Sequence, residues 1–143
     1  MIIRRGRAQD LGEVSSWLRA AGLPTADLTA AHLDDFLVAE EGGTPVGTVG
    51  LERFGDTGLL RSLVVEPGAR GKDVGRQLVA ALEEHGLSRD VSELWLLTID
   101  ADAYFSALGY EMQDRRKAPE CIRRSVEFSR LCPGDAMLMR KRL

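Results

Sequence analysis

The sequence predicts one α/β domain, residues 1–143, with a mixed and mostly antiparallel sheet, a parallel central pair of strands and helices on both faces. Two observations predict this class. An apolar strand at residues 59–65, a helical repeat and a second apolar strand at 93–99 form a strand–helix–strand unit, whose strands run parallel through a right-handed crossover. Upstream, short turns join three consecutive strands, which must therefore be antiparallel. The length of the chain also suits one domain.

One strand and one amphipathic helix precede the antiparallel strands. The strand lies at residues 1–5, and the helix begins near Asp10 and ends at Gly22 and Pro24. After it, loop residues lead into a short helix around residues 30–36. The apolar positions of the first helix recur at spacings of three and four, which places them on one face. They are Leu11, Val14, Leu18 and Ala21.

Glycine-containing turns separate the antiparallel strands. Gly42 and Gly43 form a hairpin turn, and a second turn at residues 55–58 leads into the strand that begins at Leu59. The predicted strands of this part of the chain span residues 36–40, 45–54 and 59–65.

The second half of the chain repeats the alternation of helix and strand. An amphipathic helix begins at Val74, and a connection at residues 86–92 separates it from the next strand. Near the end, Pro119 suits the first turn of another helix. The predicted elements are a strand at 93–99, a helix at 120–129 and a last strand at 136–139.

The turn between the strand at 59–65 and the following helix has the features of a phosphate site. It reads Arg70-Gly71-Lys72-Asp73-Val74-Gly75, and the chain must turn tightly there from strand into helix. Such a turn points several backbone N–H groups at one spot, at the positive end of the helix dipole. Arg70 and Lys72 add positive charge, so the loop is predicted to hold a phosphate group.

Residues 64–75 resemble the acyl-CoA-binding motif of the GNAT superfamily of N-acetyltransferases, which reads Arg or Gln, two residues, Gly, one residue, then Gly or Ala. Arg70 and Gly75 match the motif, whereas Asp73 stands at the middle glycine. The carboxylate of Asp73 either repels the CoA diphosphate and weakens its binding, or caps the helix. The resemblance implies acetyl-CoA as cofactor and a set of residues that bind it. They are Leu63, Val64, Val65, Arg70, Gly71, Lys72, Asp73, Val74, Gly75 and Phe105.

Residues 100–110 resemble the second motif of the superfamily, a helix followed by Gly and an aromatic residue. The aromatic residue four positions before the glycine is usually a Tyr, and in many members it protonates the departing thiolate. Here that position is Phe105, and Tyr104 lies one place earlier, about 100° away around a helix. Tyr104 is therefore a candidate acid or an amphipathic residue at the edge of the pocket.

Three short segments, at residues 21–28, 59–65 and 127–141, resemble small arsenic-resistance N-acetyltransferases, which are similar to amino-acid N-acetyltransferases of the glutamate type. The resemblance implies transfer of acetyl from acetyl-CoA to the amine of an amino acid or an amino-acid-like toxic compound. By the same resemblance His32 would face the substrate, although a lone His is more often structural. Dimers are common among these relatives, which leaves a homodimer open.

Two charged strand residues are candidates for the reaction itself. Glu52 is a candidate base for the amine, which must be neutral to attack, or a solvated residue at a strand end. Arg61 is a guanidinium inside an apolar strand and therefore needs a partner. That partner is either a local carboxylate such as Glu52 or the carboxylate of an amino-acid substrate, with Arg123 and Arg124 as helpers.

Composition and charge exclude several other classes. The chain is 44% hydrophobic with a net charge of −3, which argues against a non-specific nucleic-acid-binding protein. No apolar run reaches the length of a signal-peptide core or a membrane span, which predicts a cytoplasmic protein that does not bind membranes. Cys121 and Cys132 lie in no metal-binding pattern, so they are predicted to be reduced and no metal site is expected. The alternative functions are an acyl-CoA-binding sensor without catalysis, or an enzyme that modifies a protein or aminoacyl-tRNA.

Overall fold

A computed structural model of the chain describes residues 1–71, 73–125, 128 and 136–143. Among these residues, seven strands form one sheet and four α-helices pack around it. No helix in the described ranges is long and apolar enough to cross a membrane. The strands are β1 (Ile2–Arg5), β2 (Phe36–Glu41), β3 (Thr44–Phe54), β4 (Thr57–Val65), β5 (Glu93–Thr98), β6 (Glu111–Gln113) and β7 (Met137–Arg142). The helices are α1 (Leu11–Ala20), α2 (Val74–Ser88), α3 (Asp102–Ala107) and α4 (Glu120–Arg123).

The order of strands in the sheet is β1-β2-β3-β4-β5-β7-β6. Every neighbouring pair is antiparallel except β4 and β5, which run parallel as the crossover through α2 requires. This confirms the predicted mixed sheet with a parallel central pair. The parallel pairing is short, because it joins only Thr57–Leu59 to Glu93–Trp95.

Helices cover both faces of the sheet, as the sequence predicts. Side chains alternate between faces along a strand, so successive residues at the end of β4 show which helix lies on which side. Val64 packs into a cluster with Val14 and Leu18 of α1, whereas Leu63 and Val65 pack into the cluster that contains the buried face of α2. The end of β4 therefore lies between α1 and α2.

Several boundaries differ from the predicted ones. The predicted turn at 55–58 is shorter, because Thr57 and Gly58 already pair with β3. Helix α2 continues to Ser88, into the predicted connection. The short strand β6 carries little periodicity and was not predicted; it pairs with β7 at the edge of the sheet.

The end of the chain departs most from its prediction. Within the predicted helix at 120–129, the described α-helix is α4, which ends at Arg123. Residues 126, 127 and 129–135 lie outside the described residues, and they include Cys132. The predicted last strand begins one residue later, at Met137, and continues to Arg142.

Asp35 joins three parts of the fold at one face of the sheet. Its carboxylate accepts a hydrogen bond from Arg53 of β3 at 2.9 Å and lies 2.9 Å from Nε2 of His85 of α2. Burial alone would raise the pKa of Asp35, but the hydrogen bonds from His85 and Arg53 hold it below the usual value. The ionised carboxylate therefore stabilises the fold.

Replacing Asp35 should reduce stability in a pH-dependent way. Because the folded pKa is depressed, the stabilisation is present above the unfolded pKa of about 3.9 and is lost as the pH falls through the folded value. We expect Asp35→Asn to lower the free energy of unfolding by about 0.5–1 kcal/mol at pH 7, since partial exposure screens the charges. Denaturant titrations of both proteins from pH 7 to pH 3 check this, and a difference that does not shrink at low pH would contradict it.

Gly50 allows the ring of Phe36 to pack directly on β3. A Cβ atom at Gly50 would lie 2.3 Å from two carbons of the buried Phe36 ring. We expect Gly50→Ala to destabilise the fold by about 1–3 kcal/mol, because the surrounding core cannot give way without strain. Gly12→Ala is the control: a Cβ there has no neighbour within 4 Å, and alanine should add about 0.5–1 kcal/mol in a helix. Unfolding in urea compares them, and equal stabilities would refute the packing argument.

Candidate active site

A cleft opens where the two parallel strands separate. Beyond Leu59 of β4 and Trp95 of β5, the described strands no longer pair with each other. The cleft has a volume of about 540 Å³. Its walls come from the loop after α1, the separating strands, α3 and the start of β7. They include Pro24, Leu60, Arg61, Ser62, Leu63, Leu96, Ile99, Asp100, Tyr104, Phe105 and Ala136.

A bulge in β4 lies in the wall of this cleft. Thr48 pairs with Val64 and Gly50 pairs with Arg61, so one residue of β3 faces two residues of β4, Ser62 and Leu63. Ser62 is buried and has a positive φ of 61°, which costs about 1–3 kcal/mol for a residue other than glycine. Bulges of this kind re-aim backbone groups and often lie next to active sites. The sequence analysis did not predict the bulge.

Asp73 immediately precedes α2 and has a backbone conformation that favours glycine. Its φ is 67°, which explains why a glycine suits this position of the motif. The predicted cap is wrong, because the Asp73 side chain makes no capping hydrogen bond to the helix. Instead, both of its carboxylate oxygens accept from Nε of Arg76, at 2.9 and 2.8 Å, and Nη2 of Arg76 also contacts it. These hydrogen bonds lower the pKa of Asp73 and pair its charge.

The remaining described residues of the loop form an open turn before α2. Gly71 has a φ of 83° with no atom within 4 Å of where a Cβ would lie. Nε of Arg70 donates to the carbonyl of Val65 at 3.2 Å and so joins the turn to the end of β4. The first N–H groups of α2 have no partner within the helix and form its positive end. Lys72 lies outside the described residues.

The other predicted cofactor-binding residues take different directions. Leu63 and Phe105 line the cleft. Val65 packs on the α2 side of the sheet, and Val74, the first residue of α2, is buried in the same cluster. The side chain of Val64 points away from the α2 side, into the α1 cluster, so only its backbone remains available on that side.

Tyr104 reaches from α3 to the start of α2. A Cβ at Gly75 would lie 2.6 Å from the Tyr104 hydroxyl oxygen, so a larger residue at Gly75 would displace the hydroxyl from the start of α2. Tyr104 lines the cleft and is 41% exposed, whereas Phe105 is buried and packs edge-on against Tyr104 and Tyr110. Burial and the Asp73 charge raise the pKa of the Tyr104 hydroxyl, which therefore carries its proton at neutral pH.

Arg61 is buried, and protein groups surround its guanidinium. Nη1 donates to Asp27 at 2.5 Å and to Glu52 at 2.7 Å, and Nη2 donates to Asp27 at 2.9 Å. Nε donates to the hydroxyl of Ser62 at 3.0 Å, and Nη2 reaches the carbonyl of Pro24 at 3.4 Å. Arginine has five N–H donors, and these five contacts engage them all. The partner in the structure is therefore a pair of carboxylates within the protein, and the predicted substrate contact is not available in this arrangement.

Glu52 and His32 line a second cavity of about 450 Å³, together with Asp35 and Arg53. The Glu52 side chain is partly exposed and accepts a hydrogen bond from Arg61 of the cleft wall, whereas Tyr104 lines the cleft itself. Nδ1 of His32 accepts from the backbone N–H of Thr29 at 3.1 Å, at the start of the short helix Ala30–Asp35. His32 thus has a structural contact.

Asp27, His32 and Glu52 carry atoms that could act as ligands of a metal ion, and these atoms lie within 4.8 Å of one another. Arg61 already lies between the two carboxylates, and the Nδ1 lone pair of His32 is used by Thr29.

Asp27 was not identified from the sequence. The signal in the sequence that points to Asp27 is the buried arginine, because a buried guanidinium needs more than one acceptor. Asp27 lies in a loop 34 residues away from Arg61, and a loop has no periodic pattern from which this contact could be predicted.

Comparison with known proteins agrees with this architecture. The sequence pattern described as "Acetyltransferase (GNAT) family" matches residues 9–110. The curated IAA acetyltransferase of Azospirillum brasilense is 35% identical over 65 residues, which make up 44% of this chain and 42% of that protein. The chain thus matches less than half the length of this relative.

Solved structures share the fold at low sequence identity. N-acetylglutamate synthase from Neisseria gonorrhoeae, complexed with coenzyme A and N-acetyl-glutamate, has a TM-score of 0.86 and 21% identity; the match covers 99% of this chain and 35% of that one. Rv2747 from Mycobacterium tuberculosis, in complex with CoA and NLQ, has a TM-score of 0.84 and 19% identity, and the match covers 100% and 99%. Since the family pattern spans more than half of the sequence and the sheet separates at its parallel pair, the chain belongs to the acetyltransferase (GNAT) family.

Proposed function

We propose that this protein is an N-acetyltransferase that transfers the acetyl group of acetyl-CoA to the amine of a small molecule. The observation that carries the proposal is the cleft between β4 and β5, whose wall residue Tyr104 reaches Gly75 at the start of α2, next to the open turn. A cleft that passes through a sheet can admit a donor from one side and an acceptor from the other. Helices pack on both faces of this sheet at the end of β4.

The residues around the cleft fit acetyl-CoA. The described residues of the turn before α2 offer backbone N–H groups and an open left-handed Gly71, which suit the diphosphate. Arg70 adds a positive charge beside it. The apolar side chains of Leu63 and Phe105 suit the aliphatic part of the molecule farther into the cleft.

The bound donor supplies an activated acyl group as a thioester. Alternate N–H groups of β4 point towards β5, and beyond Leu59 they have no strand partner there. Aimed by the bulge at Ser62, such N–H groups can hold the carbonyl oxygen and the charge that develops on it. The amine nitrogen attacks the carbonyl carbon, a C–N bond forms and the C–S bond breaks.

Three proton transfers complete the reaction. The amine must lose a proton before it attacks, and we propose that Glu52 accepts a proton through intervening water, since it does not line the cleft itself. Once the C–N bond has formed, the nitrogen loses a second proton to solvent. The departing thiolate takes a proton from Tyr104, whose hydroxyl lies at the start of α2 and regains a proton from solvent. A thiol has a pKa of about 8.5, so this acid assists the reaction without being essential to it.

The acceptor class suggested by the sequence resemblance is an amino acid or an amino-acid-like toxic compound of the arsenic-resistance type. Such an acceptor carries a carboxylate, and the guanidinium of Arg61 is a group that can bind a carboxylate through two hydrogen bonds. Because Asp27 and Glu52 already pair with Arg61, a carboxylated acceptor has to compete with them.

A non-catalytic acyl-CoA-binding protein is the second candidate. Two departures from the family motifs favour it: Asp73 in place of the middle glycine and Phe105 in place of the usual tyrosine. The position of the Tyr104 hydroxyl argues for catalysis, because it restores an acid at the wall of the cleft.

Release of thiol from acetyl-CoA against a panel of amines tests the function. We expect turnover with at least one small amine, and we expect Tyr104→Phe to lower kcat by about tenfold, at the low end of general-acid effects because thiolates leave readily. The dissociation constant for CoA should not change. Binding of CoA without turnover of any amine would favour the sensor, and an unchanged kcat in Tyr104→Phe would remove its role as acid.

Asp73→Gly should tighten the binding of CoA. The substitution removes a negative charge from the turn, frees Arg76 and relieves the positive φ. The matched control is Asp90→Gly, which also has a positive φ, of 64°, but follows the other end of α2, about 22 Å away for a helix of this length. Calorimetric titration should show at least a threefold lower Kd for Asp73→Gly only, an order-of-magnitude expectation for one screened charge. Equal affinities would refute the repulsion.

A further inference from the structure

Asp27 makes the contact that an acceptor's carboxylate would make. Its two oxygens accept from Nη1 and Nη2 of Arg61, at 2.5 and 2.9 Å. This two-point geometry is the standard way in which arginine binds a carboxylate, whether of a protein or of a ligand. In this chain a residue of the loop between α1 and β2 occupies it.

The surroundings make this pairing strong and selective. The Arg61 side chain is fully buried and that of Asp27 is 11% exposed, so solvent screens the pair weakly. Burial by itself would raise the pKa of Asp27. The hydrogen bonds from Arg61 outweigh this effect and hold the pKa below its usual value, so the carboxylate is ionised at neutral pH. Pro24, three residues earlier in the same loop, lines the cleft and also accepts from Arg61. The loop therefore joins the cleft wall to the carboxylate that covers the guanidinium.

The described charges of this region disfavour a second anion. Arg61 lies between Asp27 and Glu52, and Asp100 is the other charged residue in the described wall of the cleft. One guanidinium faces two carboxylates, which leaves the cluster with a net negative charge. An incoming carboxylate is therefore repelled unless it takes the place of one already bound.

We propose that Asp27 is a specificity-determining residue, which competes with the carboxylate of an acceptor for Arg61 and so favours amines that carry no carboxylate. The inference rests on the proposed acetyltransferase function. Selectivity of this kind needs no steric clash, because the carboxylate of the acceptor competes with the Asp27 carboxylate, which is already bound to Arg61. Removal of Asp27 would open the guanidinium to amino acids.

Asp27→Asn tests the competition when each acceptor is compared with its own uncharged analogue. The substrates are L-α-amino acids and the corresponding α-carboxamides, which have the same amine and side chain. The quantity measured is the ratio of kcat/KM for the acid to kcat/KM for the amide. We expect this ratio to rise by about tenfold or more in Asp27→Asn, the range of one charge-assisted hydrogen-bonded pair.

Asp35→Asn is the matched control, because Asp35 is a partly buried carboxylate near Glu52 that pairs with Arg53 and His85. Its ratio should stay within about twofold of the wild type, since only distant charge is removed. An unchanged ratio in a folded Asp27→Asn protein would overturn the proposal. An equal rise in both variants would also overturn it, because long-range charge would then be the cause. Asp27→Ala replaces Asp27→Asn if thermal melting shows that the asparagine variant does not fold.

A binding measurement separates this inference from the proposed function. Calorimetric titration of the CoA-saturated protein with the same acids and amides needs no turnover. If no amine is acetylated, the proposed function fails, yet tighter binding of acids by Asp27→Asn alone would still support the competition. If amines are acetylated but acids bind Asp27→Asn no better than the wild type, the competition is refuted and the function stands.

Discussion

The early separation of the two parallel strands is the constraint on which the rest of the structure depends. Strands β4 and β5 pair over Thr57–Leu59 and Glu93–Trp95 and then part. Backbone groups that lose a strand partner must find another partner or water, and burial without one is costly. The cleft forms at this opening, the bulge at Ser62 lies in its wall, and α1 and α2 pack on opposite sides of the end of β4.

The turn before α2 shows how a backbone requirement and a charge requirement are met by one residue. The position of Asp73 needs a positive φ, which asparagine and aspartate tolerate better than other residues with a side chain. The negative charge is then paired with Arg76. Asp73 thus has the positive φ that suits a glycine at this position of the motif, although its side chain differs. What the substitution changes is the charge of the turn.

Local patterns predicted most of the fold, because the periodicity of strands and helices is written in consecutive residues. The unit from β4 through α2 to β5 was found this way, and its parallel pairing is confirmed. The bulge at Ser62 was missed, because it depends on how β3 lies against β4. The side chain of Val64, a predicted cofactor-binding residue, packs with α1. Asp27 was missed for the same reason, since only the folded chain brings it to Arg61. Of the candidate site residues, Arg61 was correctly expected to need a partner.

A guanidinium inside a sheet restricts what its surroundings can be. Left without a carboxylate, Arg61 would be an uncompensated buried charge, which costs several kcal/mol. The fold therefore needs carboxylates at this wall before any substrate is present. Those same carboxylates then decide which substrate groups the wall can accept. Asp27 and Glu52 thus meet a requirement of stability that also constrains specificity. A carboxylate of an acceptor can bind Arg61 only if it displaces one of these two residues.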